Sequence, residues 1–212
     1  MFELPAEVEK YLLSIIDPEE DYLNELYRET YLKVLNPNMI SGHIQGKVLA
    51  FISTMIQPSS ILEIGTYTGY SAFCLAKGLA PGGKLHTIDK NDELADYHNK
   101  YVKRSHMEDS IVFHYGDALK IMDEIELIFD LVFIDADKEE YPEYYHKVKN
   151  KVRKGGYIIA DNIFWDGKVL QKGFLDKSTK GILEFTEIIK NDPGLEKVVL
   201  PVRDGLMIIR KK

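Results

Sequence analysis

Short apolar runs alternate with longer amphipathic stretches along this chain, the pattern of strands separated by helices. The runs at Ser60–Ile64, Lys84–Ile88, Ile111–Tyr115, Leu131–Ile134, Tyr157–Ala160, Lys197–Pro201 and Leu206–Arg210 predict strands. Helix-length segments near 70–79, 91–106, 117–127 and 139–152 lie between the first five, so each is followed by a crossover and the sheet is expected to be largely parallel. Helices near 5–16 and 19–35, a loop over Asn36–Ser41 and a helix over 42–57 come before the first strand. The last two strands are joined by the turn-forming Arg203-Asp204-Gly205, short enough for a hairpin, so one edge strand is expected to run antiparallel. The prediction is a doubly wound α/β fold: a mostly parallel seven-stranded sheet with helices on both faces.

Length and composition narrow this further. With 212 residues, 45% of them hydrophobic, the chain is expected to form one domain over 1–212. It holds no apolar run long enough to span a membrane, and Met1-Phe-Glu-Leu-Pro5 has neither the basic start nor the apolar core of a signal peptide, so a soluble cytoplasmic protein is expected. Cys74 is the only cysteine; it excludes an internal disulfide and, among Ala72, Phe73 and Leu75, reads as buried. The net charge of -7 repels polyphosphates and makes nucleic acid a poor default partner.

In an open α/β sheet, ligands bind outside the carboxyl ends of the strands, so candidate chemistry is sought where each apolar run stops. The first strand runs into Gly65-Thr-Tyr-Thr-Gly69-Tyr-Ser71. Its glycines permit a tight turn and close backbone approach to a ligand, although Gly-x-x-x-Gly alone is also an ordinary strand-to-helix turn. The spacing is neither that of a dinucleotide fingerprint nor of a P-loop. Glu63 beside the turn disfavours phosphate and suits a cationic ligand such as S-adenosylmethionine, which carries a sulfonium and an ammonium. Asp89 ends the second strand, where it can accept hydrogen bonds from ribose hydroxyls or cap the next helix, a task Asn91 performs equally well. After the third strand, Asp117 or the Ala118 backbone could meet an adenine, and a helix N-cap at Asp117 is the simpler alternative. The ends of the fourth and fifth strands carry Asp135-Ala-Asp137-Lys138 and Asp161-Asn162. Asp135, Asp161 and Asn162 at adjacent tips converge three oxygen donors, a set that suits a hard cation such as Mg²⁺. The histidines at 43, 86, 98, 106, 114 and 146 show no ligand spacing and read as surface or packing residues.

Together, Glu63-Ile-Gly-Thr-Tyr-Thr-Gly-Tyr-Ser71, Asp135-Ala-Asp-Lys138, Asp161-Asn-Ile-Phe-Trp-Asp-Gly167 and Arg203-Asp-Gly-Leu206 resemble the cation-dependent O-methyltransferases, the family of catechol and caffeoyl-coenzyme A O-methyltransferases and their bacterial relatives. The resemblance extends from about Asn38 onward. It implies a Rossmann-like methyltransferase fold, S-adenosylmethionine as methyl donor and a divalent cation, Mg²⁺ first, with Mn²⁺ or Ca²⁺ as alternatives. It further implies that Asp135, Asp161 and Asn162 hold the metal, with Asp135 also meeting the donor's amino group. Ser71 and Met39 would contact the methionine end, Glu63 and the Gly65–Tyr67 turn would line the donor pocket, and Asp89 would bind the ribose. Lys138 would be the catalytic base, and physical chemistry agrees: desolvation and a neighbouring cation both lower a lysine pKa. The alternative is an exposed lysine at a helix start. Trp165 is the only tryptophan; its ring either stacks on a planar acceptor or plugs the core. Tyr141, Tyr144 and Tyr145 face the site or pack the core.

The acceptor is expected to be a small catechol-like molecule with two neighbouring oxygens, bound between Trp165, the 166–180 segment and an N-terminal helical cap over 1–57, in a homodimer. Some relatives methylate hydroxyuridine in transfer RNA, and Lys147, Lys149, Lys151, Arg153, Lys154, Arg210, Lys211 and Lys212 give that alternative its local support. Alternation with Val148 and Val152 makes the first cluster read as the solvated face of an amphipathic helix. A noncatalytic binding protein or a dehydrogenase on the same fold is disfavoured by the retained acidic set with Lys138 and by the missing third glycine.

Overall fold

Ser60–Ile64, Lys84–Asp89, Ile111–Tyr115, Phe129–Ile134, Val152–Ala160, Leu195–Leu200 and Leu206–Lys211 form strands β1 to β7 of a single sheet, in a computed structural model that describes residues 5–212. The strand order is β3-β2-β1-β4-β5-β7-β6. The first five strands pair in parallel, because each is followed by a crossover. The single antiparallel strand is β7, which lies one place in from the edge: it pairs antiparallel with both β5 and β6, leaving β6 at the rim. This corrects the expectation of an antiparallel edge. The chain overshoots to β6 and returns through residues 201–205 to fill the gap beside β5.

Helices α1 Ala6–Ile15, α2 Asp21–Lys33, α3 Gly42–Ile56, α4 Tyr70–Ala76 and α5 Ala95–Arg104 come early in the chain, followed by α6 Ala118–Glu124, α7 Tyr141–Val148 and α8 Lys177–Asn191. Side chains alternate across the sheet, so one strand feeds both layers. In β4, Leu131 and Phe133 pack with Leu49, Phe73 and Tyr101 of α3, α4 and α5, while Val132 and Ile134 pack with Met122, Tyr145 and Phe185 of α6, α7 and α8. Burial on both faces explains why the central strands read as continuous apolar runs.

Two elements differ from expectation. Helix α8 was not anticipated, although Ile182, Phe185 and Ile189 form a buried stripe at helical spacing and Asp176 caps it by accepting from the Thr179 amide at 2.7 Å. The helix expected over 139–152 ends at Val148. The Lys151 amide turns back to the Val148 carbonyl at 2.8 Å, and the Lys151 carbonyl accepts from Phe129 at 2.7 Å, which draws this segment into the sheet. Residues 149–154 are therefore turn and strand rather than a solvated helix face.

The connections reverse direction between β1 and β4, which are neighbours. A crevice opens outside the carboxyl ends of two parallel strands at such a switch point. Glu63, Gly65, Asp89, Asp135 and Asp161 all sit at or just past strand ends around it.

Candidate active site

Gly65 has φ of 100°, and a Cβ there would stand 2.1 Å from the Asp135 carbonyl oxygen. Only glycine lets the turn after β1 touch the end of β4. Asp89 organises this turn from the tip of β2: its Oδ2 accepts from the Thr66 and Tyr67 amides at 3.0 and 2.6 Å, and its Oδ1 from the Asn91 amide at 2.9 Å. Asp89 thus has a task that neither sequence reading assigned, since it holds the glycine turn in shape. Asn91 makes the separate cap, accepting from the Glu93 amide at 3.0 Å.

Beneath the turn, Thr66 and Thr87 share a hydroxyl contact of 2.5 Å and Thr87 donates to Glu63 Oε2 at 2.5 Å. Glu63 is completely buried, and its Oε1 has no hydrogen-bond partner among the described residues. Burial pushes its carboxyl up to about 8 against the pull of the Ser71 and Thr87 hydroxyls, and the Asp135 and Asp89 charges add to the rise. Ser71 is buried in the first turn of α4. Tyr67, at φ of 49°, donates its hydroxyl to the Leu35 and Asn36 carbonyls at 3.0 and 3.3 Å, tying the glycine turn to the loop bearing Met39. Met39 closes a short 3-10 turn, Pro37–Met39, and is 57% exposed.

Asp117 caps α6, accepting from the Leu119 and Lys120 amides at 2.9 and 3.4 Å, as the simpler reading held. It and Ala118 follow Gly116, whose amide donates to the Asp89 carbonyl at 2.8 Å, so the pair flanks the Asp89 corner. His98 is a packing residue: its ring stacks on Phe113 at 4.7 Å, and its nitrogens meet the Tyr67 carbonyl and Tyr115 hydroxyl at 2.7 and 2.8 Å. Cys74 is buried as expected, which pushes its thiol up to about 12.

On the other flank, β4 and β5 run side by side with Ile134 opposite Ala160, so Asp135 and Asp161 follow at neighbouring tips. Asp161 Oδ1 accepts from the Asn162 amide at 2.7 Å and Oδ2 from Gln45 Nε2 of α3 at 2.6 Å. Burial pushes the Asp161 carboxyl well above the usual carboxylate range, and the Asp135 charge adds to the shift. Asn162 follows in a left-handed conformation, φ 57°. Among the described residues no three or more His, Cys, Asp and Glu side chains gather into a metal-binding group, so the candidate set is two carboxylates and one amide. An oxygen-only set of this kind fits a hard cation, and an added positive charge would relieve the two crowded carboxylates.

Lys138 is buried, not an exposed helix start; its Nζ lies 2.7 Å from Asp135 Oδ1 and 5.1 Å from the Tyr141 ring centre. Burial is the largest single influence and works to lower its pKa, but the Asp135 carboxylate and Tyr141 together outweigh it and hold the ammonium above the ordinary lysine range. The expected depression is thus reversed in the chain by itself. Of the three tyrosines, Tyr141 belongs to the site: its hydroxyl lies 3.0 Å from the Asp161 carbonyl and 3.2 Å from that of Ile134, bridging the two strand ends. Tyr144 and Tyr145 pack in the core, with their hydroxyls donating to Glu140 and to Asp192. Trp165, at φ of 46°, packs partly buried against the core with Lys168 Nζ 5.2 Å from its ring, and its indole N–H is buried without a partner among the described residues.

Two contributors escaped sequence reasoning. Gln45 sits 116 positions before the carboxylate it contacts, on a helix whose apolar pattern gives no hint of it. Gly181 lets α8 pack directly on the Lys138 segment, where a Cβ would stand 2.3 Å from the Lys138 carbonyl oxygen. Its signal was a glycine inside an amphipathic stripe.

Comparison with known proteins agrees with this geometry. A family model described as O-methyltransferase matches residues 13–212. A caffeoyl-CoA O-methyltransferase of Medicago sativa is 30% identical over 216 residues, covering 95% of this chain and 87% of that protein. The solved O-methyltransferase from Bacillus cereus, in complex with SAH, superposes with a TM-score of 0.91 at 30% identity, over 97% of each chain. TomG of Streptomyces achromogenes, an O-methyltransferase involved in tomaymycin synthesis and solved with SAM, superposes with a TM-score of 0.90 at 26% identity, over 97% of this chain and 96% of that one. With its strand order, its glycine turn and its acidic strand ends, this chain belongs to the O-methyltransferase family and is an S-adenosylmethionine-dependent O-methyltransferase.

Proposed function

We propose that this enzyme methylates one hydroxyl of a small acceptor carrying two neighbouring oxygens, catechol-like in chemistry, and that it does so with a divalent cation, Mg²⁺ first. The observation that carries this reading is that Asp135, Asp161 and Asn162 follow the neighbouring strands β4 and β5 beside buried Lys138. A cation held by these three residues would supply Lewis-acid stabilisation of the acceptor's oxyanion. Three protein donors would leave a hard cation room for both oxygens of a bidentate acceptor.

The chain's own residues divide the remaining work. Glu63, Gly65, Tyr67, Ser71, Met39 and Asp89 cradle the donor, with acidic groups suited to its two positive charges; Asp135 serves its amino group, and Asp117 and Ala118 border the adenine. Lys138 takes the acceptor's proton at Nζ. For that Nζ must be the neutral amine, so the ammonium first gives a proton to solvent, a loss that the Asp135 carboxylate at 2.7 Å opposes and that a bound cation neutralising Asp135 would favour. General-base help is worth about 10²–10⁴ in rate, whereas alignment of the oxygen with methyl and sulfur contributes about 7–11 kcal/mol, so positioning outweighs the base. Trp165 walls the acceptor, and its indole N–H, without a partner among the described residues, is suited to an acceptor oxygen.

The basic cluster gives RNA little support as the acceptor. Lys147, Lys149, Arg153 and Arg210 pair with Asp123, Asp192, Asp130 and Glu196, while Lys151 and Lys211 bond backbone carbonyls. Most of this cluster lies before or at the start of β5, about 30 Å of extended strand from Asp161. No helix among the described residues is long and apolar enough to cross a membrane. We also propose a homodimer, since α1 buries no residue within one chain and exposes Tyr11 and Ile15; light scattering on the eluting protein tests it. The acceptor reading is tested by kcat/KM for a catechol against its monohydroxy analogue at saturating donor and Mg²⁺. Strong preference for the catechol is expected, and equal turnover of the two overturns chelation.

A further inference from the structure

The turn between β6 and β7 reaches into two loops far from it in sequence, one on each flank of the site. Arg203 holds a left-handed φ of 48°. Its Nη1 donates to the carbonyls of Ile40, at 2.7 Å, and of Ser41, and its Nη2 to that of Asn38 at 3.2 Å. All three acceptors belong to the segment around Met39. Next in line, Asp204 is 6% exposed and receives the Asp166 amide on both carboxylate oxygens, at 2.9 and 3.2 Å. Its carbonyl accepts from the Phe164 amide at 2.9 Å, and that of Gly205 from the Ile163 amide at 3.2 Å.

The segment so gripped is unusual. Asn162, Trp165 and Asp166 have φ of 57°, 46° and 54°, conformations that side-chain-bearing residues keep only when the surroundings enforce them. A hairpin turn by itself requires neither a guanidinium with three carbonyl partners nor a buried carboxylate.

We propose that Arg203 and Asp204 form a two-sided positioning element, Arg203 setting the donor-side loop that carries Met39 and Asp204 setting the acceptor-side segment that carries Asn162 and Trp165. The two sides take their names from the proposed site, on which this inference rests. The element acts through other residues and touches neither substrate. Lysine cannot replace Arg203, because its compact ammonium lacks the planar fork that reaches carbonyls spread over residues 38–41.

The test measures donor affinity by calorimetry, acceptor KM at saturating donor and thermal midpoint for Arg203→Lys, Asp204→Asn, Asp204→Ala and Met39→Ala. Arg203→Lys is expected to weaken S-adenosylmethionine binding about tenfold with acceptor KM nearly unchanged. Asp204→Ala is expected to raise acceptor KM by about tenfold with donor affinity nearly unchanged, and Asp204→Asn, which keeps one oxygen for the Asp166 amide, to fall between. If both positions shift donor affinity and acceptor KM together, in proportion to lost thermal stability, the turn is merely structural and the proposal fails. Weakened donor binding in Met39→Ala but not in Arg203→Lys overturns the positioning role alone. Unchanged donor binding in both overturns the donor-side reading of the loop, and the proposal with it.

Discussion

Replacing Gln45 by methionine, close to it in volume, would remove one hydrogen bond and little else. The bond from Nε2 to Asp161 Oδ2 is 2.6 Å long and buried, and Oε1 of the same amide has no partner to lose among the described residues. A bond to a charged group contributes about 1.5–3 kcal/mol, and a volume-conserving swap in a packed interior costs less than about 1.5 kcal/mol. The expected loss of stability is therefore about 2 kcal/mol, or about 4–8 °C in Tm for a chain of this size. Partners that orient a ligand also tune a metal site, typically by about 10–100-fold in affinity, so Mn²⁺ binding followed by electron paramagnetic resonance is expected to weaken by about tenfold or more. Calorimetric affinity for S-adenosylmethionine should change little, because the Gln45 amide bonds Asp161, which is outside the donor cradle. A variant that loses stability as expected but binds Mn²⁺ as tightly as the wild type would refute the orienting role of Gln45.

Lys138→Met should lower kcat by about 10²–10⁴ with donor affinity nearly unchanged in titration calorimetry, and equal loss of both would remove Lys138 from the chemistry. Gly181→Ala should destabilise by about 1–3 kcal/mol in urea unfolding, since its Cβ meets the Lys138 carbonyl at 2.3 Å and α8 must move; an unperturbed midpoint would contradict that packing. For Glu29, hydrogen bonds from Lys100 and Lys33 hold the carboxyl at about 2, below its ordinary 4.5. A depressed carboxylate stabilises the fold above its unfolded pKa, and that stability is lost as pH falls through the folded value. The stability advantage of wild type over Glu29→Gln should thus be full above pH 4.5 and fade towards pH 2, and an advantage constant with pH would exclude charge as its source.

Much of the fold and site was legible because both follow from period and topology. Once the central runs read as parallel strands, residues after each run had to meet at one edge, and Asp89, Asp135 and Asp161 do. What was not legible depends on distances that sequence spacing does not encode. Gln45 reaches Asp161 because α3 packs across the sheet end, and Gly181 matters because α8 lies on the Lys138 backbone. The Lys149–Lys154 stretch looked helical because alternating charge fits a helix face and an edge-of-sheet start equally well, and the pairing of Lys151 with Phe129 decided the matter. For Lys138 the desolvation effect had the expected sign and is the largest single influence, but the Asp135 carboxylate at 2.7 Å and Tyr141 together outweigh it.

The central claim, methyl transfer that depends on a divalent cation, is tested most directly by transfer of labelled methyl from S-adenosylmethionine to a catechol. The enzyme is first stripped with chelator and then titrated with Mg²⁺ or Mn²⁺. Turnover should be absent in excess chelator, return on addition of the cation, and fail to return in Asp161→Ala. Full turnover in excess chelator would contradict the account.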